Sequence, residues 1–232
     1  MTQEAAPSQL APARELLPGA AKLVESATRH FAERGYHGTS VRDIASDAQM
    51  TVAGLYHHFS SKQGLLRWIM VEALEDVLHR TRAALAAADP DPRSRLRALV
   101  VAWLRFHTER QAEALIGSSE LRSLEPANRE VVVGLRDKQE ALFRVVVEDG
   151  CAAGVFSTPY PKDTARAIVT MGWAVSSWFR PSGALSPEEL RVALAQLLGA
   201  QWAGRAEPAG HRPAHRDDRP RRVLRVRRRE DA

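Results

Sequence analysis

Apolar residues recur at intervals of three and four along most of the chain, and the breaks between these stretches are short and rich in Pro, Gly, Ser and Asp. This pattern predicts helices, and no strand period competes with it. Leu23, Ala27 and Phe31, with Val24 beside them, predict a first helix from Gly19 that Gly35 stops. Val41, Ile44, Ala45 and Ala48 predict a second helix of about two turns. Thr39 and Ser40 stand at its start, where either can accept from an orphan amide, and Ser40 and Asp43 have the spacing of a capping box. Thr51 opens a third pattern, in which Leu55 and Phe59 are four apart and point inward together. Val52, Ala53, Gly54, Tyr56, His57 and His58 are left on the opposite face. Two short helices separated by so brief a break outline a helix-turn-helix.

Ser60 and Ser61 precede a long stripe through Leu65, Leu66, Ile69, Leu74, Val77, Leu78 and Leu85 to Ala88, which Asp89-Pro90-Asp91-Pro92 ends. Leu96, Leu99, Val100, Trp103, Leu104, Phe106 and His107 predict the next helix, and the stretch from Ala112 to Leu124 another. Pro126, placed as a first helical residue, opens one that runs through Val131, Leu135, Leu142, Val145 and Val146 to Gly150. The segment from Pro161 to Phe179 is apolar on more than one side, and Ser186-Pro187-Glu188-Glu189 starts a last helix with a capping box. A helix apolar nearly all round has to be covered on every side. Either a second copy of the chain covers the far side, or the pair is an ordinary buried one in a monomer. For the first case the interface candidates are Ile168, Val175, Phe179, Leu190, Leu194 and Leu197.

The expected architecture is all-α, with a three-helix DNA-binding unit at 19–67 and a larger helical domain for effector binding and dimerisation at 68–202. A flexible arm, 1–18, precedes them, and an Arg-rich tail, 203–232, expected to be disordered in isolation, follows. Charge sharpens this division. From Arg205 to Asp231 ten arginines stand against five acids, a surplus equal to the +5 of the whole 232-residue chain, so the rest is neutral in sum. The tail either adds non-specific phosphate contacts or is a solvated appendage. Residues 20–70 carry six basic side chains against four acids, only +2, so positioned contacts have to supply what general electrostatics does not. The single cysteine, Cys151, excludes an internal disulfide and a cysteine-cluster metal site, and its small apolar context suits packing. No apolar run long enough to span a membrane and no secretory leader is present, so no membrane partner and a cytoplasmic location are expected.

No catalytic arrangement is found: there is no glycine-rich phosphate loop, no His-Glu-x-x-His and no Gly-x-Ser-x-Gly, and no cofactor or metal is expected. The outward face of the third helix has a different character. Thr51, Tyr56, His57 and Lys62 carry groups that donate to phosphate oxygens, while Arg42 and the small Val52, Ala53 and Gly54 suit a major groove; His58 and the hydroxyls of Thr39 and Ser40 complete the DNA-binding candidates. On a helical hairpin of another kind, Tyr56 and the histidines would be ordinary surface residues. In the larger domain Trp103, Phe106, Met171, Trp173 and Trp178 are candidates to line a small-molecule pocket, or else plain core or interface. Arg122 is a candidate for a ligand phosphate or carboxylate, or for a surface ion pair.

Thr39-Ser40-Val41-Arg42-Asp43-Ile44-Ala45, Gly54-Leu55-Tyr56-His57-His58-Phe59 and Lys62-x-Gly64-Leu65-Leu66 together resemble the DNA-binding domain of the tetracycline-repressor (TetR) family of bacterial regulators. One departure is Ala48-Gln49-Met50 in the turn, where members place Ala-Gly-Val; glycine is expected at a left-handed position there. The segment Trp178 to Leu190 and Glu120-Leu121-Arg122-Ser123-Leu124 are similar to a subgroup controlling lipid, steroid and aromatic-acid catabolism, which implies an acyl-coenzyme A thioester as effector. The resemblance implies a homodimer on a double-stranded DNA operator, most simply a repressor released by a small ligand. The alternative is a constitutive or architectural DNA-binding protein without an effector.

Overall fold

The computed structural model describes residues 16–180 and 182–200, with side-chain burial as far as residue 194. The expectations for most of the N-terminal arm, for the Arg-rich tail and for the Leu197 side chain lie outside the described residues. Within them are nine α-helices, one 3-10 turn and no strand. In chain order the helices are α1 (Pro18–Arg34), α2 (Val41–Asp47), α3 (Val52–His58), α4 (Lys62–Ala87), α5 (Pro92–Glu109), α6 (Gln111–Ser119), α7 (Pro126–Ala152), α8 (Pro161–Trp178) and α9 (Pro187–Ala200). The 3-10 turn, Glu120–Ser123, continues α6.

Side-chain oxygens start most of these helices. The Ser40 hydroxyl accepts from the Asp43 amide at 3.1 Å and the Asp43 carboxylate from the Ser40 amide at 2.9 Å, closing the capping box. Thr51, Ser61 and Asp91 cap α3, α4 and α5, and Ser186 with Glu189 forms a second box at α9. Each cap contributes about 1 kcal/mol by satisfying an amide that the helix cannot.

Two apolar cores result, and α4 belongs to both. Leu23, Ala27 and Phe31 of α1, Ile44 and Ala45 of α2, and Leu55 of α3 with Phe59 just beyond it close around Leu65, Leu66, Ile69 and Met70. From Ala73 onward α4 faces the second core, built on Leu99, Val100 and Trp103 of α5, Phe143, Val146 and Val147 of α7, and Ile168, Val169 and Val175 of α8. A division at 67/68 thus cuts through an unbroken helix, and Leu74 packs against both cores. Ile116, Leu124 and Val132, from beyond α4, complete the first core.

The larger domain departs from the sequence pattern in three places. Helix α7 passes through Gly150 to Ala152; the glycine is there because the Phe156 ring lies where a β-carbon would stand, 2.1 Å away. The buried seam of α7 is Val132, Gln139, Phe143, Val146, Val147 and Gly150, whereas Val131 and Val145 are exposed. The third concerns the interface candidates. Ile168, Val175, Phe179 and Leu190 are no more than 3% exposed within the single chain, and Leu194 is packed against the same core. The first four therefore have almost no surface left for a second copy, being packed within the chain, while Leu194 is half-buried. Among the described residues, the large apolar side chains that α8, α9 and their linker leave outside are Met171, Trp178, Leu185 and Val192.

Candidate nucleic-acid interface and ligand cavity

The turn between α2 and α3 sets the angle of the third helix. Gln49 has φ of 57°. The Gln49 amide donates to the Ser46 carbonyl at 3.0 Å and the Met50 amide to the Ala45 carbonyl at 2.8 Å, the paired bonds of a Schellman helix end. Gln49 therefore occupies the left-handed position where glycine was expected. The strain of a side chain there is of order 1–2 kcal/mol, and the two turn bonds with the buried Ala48 hold it in place. Helix α2 is in turn tied to α1: Ser26 donates to the Ile44 carbonyl at 3.1 Å, and Arg29 pairs with Asp47.

Helix α3 buries Leu55, with Phe59 beneath its end, and presents Ala53, Tyr56 and His57 to solvent, with Val52 and Gly54 half-buried. Thr51 and Ser40, both exposed, accept the Gly54 and Asp43 amides through the hydroxyl oxygen, and the Ser40 hydroxyl also bonds the Asp43 carboxylate and holds its pKa below the usual value. Arg42 is exposed on α2. Ser40, Arg42, Thr51, Ala53, Tyr56 and His57 are thus all exposed.

Three placements differ from expectation. Thr39 is 2% exposed and its hydroxyl lies 3.1 Å from the His30 carbonyl and 2.9 Å from that of Gly35, so its side chain fastens the α1–α2 loop and is not on the DNA face. His58 leans back on α1, its Nε2 2.9 Å from where a Gly19 β-carbon would be. Lys62 sits with Nζ 4.0 Å above the Tyr36 ring, and burial there holds its pKa below the usual lysine value. Tyr36 thus aims the lysine, a role no sequence pattern announces. Next to it, Gln63 donates to the Ser123 carbonyl at 2.7 Å and accepts from the Glu125 amide at 3.1 Å. The start of α4, just after the recognition helix, is thereby bonded to the segment between α6 and α7.

In the larger domain a cavity lies between α4, α5, α6, α7 and α8. Trp103, Phe106 and Trp173 line it as expected, joined by His107, Glu113, Gly117 and Arg136. Arg122, Met171 and Trp178 do not: Arg122 is exposed on the 3-10 turn, and the other two are on the outer side of α8, Trp178 52% exposed. The cavity holds about 30 Å³, room for a water or two, where ligand pockets run to about 300–1,000 Å³. Trp103 is wedged by donating to the Val169 carbonyl at 3.2 Å and lying against Gly172, where a β-carbon would be 1.8 Å from its Nε1. Buried His107 has Nδ1 2.8 Å from the Trp103 carbonyl; this oxygen only accepts, so Nδ1 carries the proton. Burial pushes the His107 pKa down to about 4, so the ring is neutral. Glu113 is gripped by Arg110, at 3.0 Å, which also reaches Glu72 at 2.7 Å and Asp76 at 2.9 Å on α4. No helix among the described residues is long and apolar enough to cross a membrane.

Comparison with known proteins covers both parts of the chain. Residues 23–69 match the model for bacterial regulatory proteins of the tetR family, and 89–201 that for the tetracyclin repressor-like C-terminal domain. The chain is 31% identical over 196 residues to the HTH-type transcriptional repressor KstR2 of Mycolicibacterium smegmatis, spanning 83% of this chain and 92% of that one. Among solved structures, the ketosteroid transcriptional regulator KstR2 of Mycobacterium tuberculosis superposes with a TM-score of 0.76 at 25% identity, covering 83% of this chain and 99% of that one. AibR, solved with isovaleryl coenzyme A and operator DNA, gives 0.71 at 26% identity, covering 77% and 97%.

Proposed function

The chain belongs to the tetR family of bacterial regulatory proteins, and on that premise we propose that it is a homodimeric repressor released from a palindromic operator when a small ligand enters the helical domain. The family is one of transcriptional regulators, not enzymes. The observation that carries the reading is the face of α3: Ala53, Tyr56 and His57 exposed over buried Leu55 and Phe59, on a helix capped by Thr51. Small side chains admit a base edge, and the hydroxyls and imidazole reach phosphates. Ser40, Thr51, Tyr56, His57 and Lys62 take the backbone, and Arg42, Val52, Ala53 and Gly54 enter the groove.

A dimer places two such helices about 34 Å apart, one turn of duplex. Met171, Trp178, Leu185 and Val192, exposed along α8, α9 and their linker, are the apolar surface proposed to meet the second copy. An operator-bound protein works in the cytoplasm. The leading effector is an acyl thioester of coenzyme A, supported by the likeness to a structure that holds one.

A cavity of about 30 Å³ has to open before such a ligand fits. That need supplies the switch: a ligand shifts an equilibrium only by binding one state better, and here only the opened state can bind it. Two links join the cavity to the DNA face. Helix α4 runs through both cores, and α6, one wall of the cavity, packs on α1. Gel shifts of an operator complex with saturating hexanoyl-, isovaleryl- and steroid-acyl coenzyme A test release; a complex that survives every thioester and a wider metabolite panel excludes it. The closed cavity favours a second reading, a regulator without an effector, and that outcome would select it.

A further inference from the structure

Arg136, half-buried, stands on α7 one turn before the buried Gln139 and lines the cavity. Its guanidinium lies 4.8 Å from the Trp173 ring centre and donates one bond to the Gly117 carbonyl of α6. A guanidinium has five N–H donors, so most of its capacity is uncommitted. Among the described residues no carboxylate pairs with it. Glu113, the one acid lining the cavity, is held by Arg110, and Glu140, one turn further along α7, by Arg166 at 3.3 Å. The remaining titratable wall, His107, is neutral. A cation brought into a largely apolar site without its counter-ion is costly, and here the walls beside it are the flat faces of Trp103, Phe106 and Trp173.

We infer that Arg136 is the anchor for an anionic group, carboxylate or phosphate, on a ligand whose apolar body lies against Trp103, Phe106 and Trp173. This rests on the reading of the cavity as the effector site and adds the chemical class of what it takes. Planar guanidinium binds either oxyanion through two parallel bonds, while a neutral ligand of the same shape leaves the charge unmet. Nothing lies within 4 Å of where a Gly117 β-carbon would be, so no side chain crowds that point of the wall beside the bond that the guanidinium already makes.

The test is a tryptophan-fluorescence titration of the full chain with hexanoate, hexanamide, coenzyme A and hexanoyl-coenzyme A. Hexanoate separates a carboxylate source from the phosphates of free coenzyme A. At least one anionic probe should bind tenfold or more tightly than hexanamide. Arg136→Met should erase that preference and Arg136→Lys should keep part of it, with thermal melts confirming that each variant is folded; should the Met variant melt early, Arg136→Gln is read in its place. Equal binding of acid and amide, a preference that survives loss of the guanidinium, or no binding by any anionic probe overturns the assignment. Parallel gel shifts keep the two readings apart. Operator release by hexanoyl-coenzyme A that is indifferent to Arg136 leaves the effector reading and removes the anchor, whereas Arg136-dependent binding without release does the reverse.

Discussion

Lowering the pH tests whether His107 is held neutral inside the larger domain. The residue is 2% exposed, its ring centre is 4.3 Å from that of Trp103, and burial lowers its pKa from 6.5 to about 4. Arg136 and Glu113, of opposite charge, line the same cavity. Between these two pKa values the unfolded chain binds a proton that the folded one refuses, so stability falls as pH drops through about 6.5 and levels off below about 4. At about 1.4 kcal/mol per unit, the full loss is about 3 kcal/mol. The linkage relation puts about 2 kcal/mol of it above pH 5, a fall in Tm of about 4–8 °C for a chain of this size. Carboxylates titrate in the same range, so the informative quantity is the difference from His107→Leu, which keeps the volume and removes the titration. At pH 7.5 the variant should lie within about 1.5 kcal/mol of wild type. Between pH 7.5 and 5 it should lose about 2 kcal/mol less, read from melts by circular dichroism. Parallel loss in the two proteins would refute the buried neutral imidazole.

Gly172→Ala puts a β-carbon 1.8 Å from Trp103 Nε1 and should destabilise by about 3 kcal/mol or more, since the wedged indole has to move; an unchanged urea midpoint contradicts the packing described. Gln49→Gly relieves the left-handed strain of about 1–2 kcal/mol against a gain in unfolded-chain freedom of up to about 1 kcal/mol. A slightly higher midpoint is therefore expected, and a lower one would show that the Gln49 side chain contributes something else. Tyr56→Phe and His57→Ala should each weaken operator binding by about 1 kcal/mol, equally across operator sequences; a loss confined to one sequence would show that the residue reads a base.

The stretch from Gly19 to Met70 was legible because its information is local. A capping box, a threonine cap and the four-residue spacing of Leu55 and Phe59 act within a turn or two of chain, and all three are present in the folded unit. Gln49 was legible in the same way, as the one residue at odds with its position. Thr39 was misplaced because its neighbours in sequence show the helix start, whereas its partner at the His30 carbonyl is nine residues away.

Beyond Met70 a periodic stripe shows that a helix buries a face but leaves its phase open when apolar residues exceed one face. For α7 the visible stripe included Val131 and Val145, both exposed, while the true seam buries Gln139 and the half-buried Arg136 lines the cavity. For α8, residues assigned to a partner chain are packed within the chain, and Met171 and Trp178 are left outside. By itself, then, the sequence determined the helices, most of their caps and the side chains that α3 exposes, each written in residues close along the chain. Which side of each long helix is buried, which cation enters the cavity and what aims Lys62 were decided only by tertiary packing, because those depend on partners tens of residues apart.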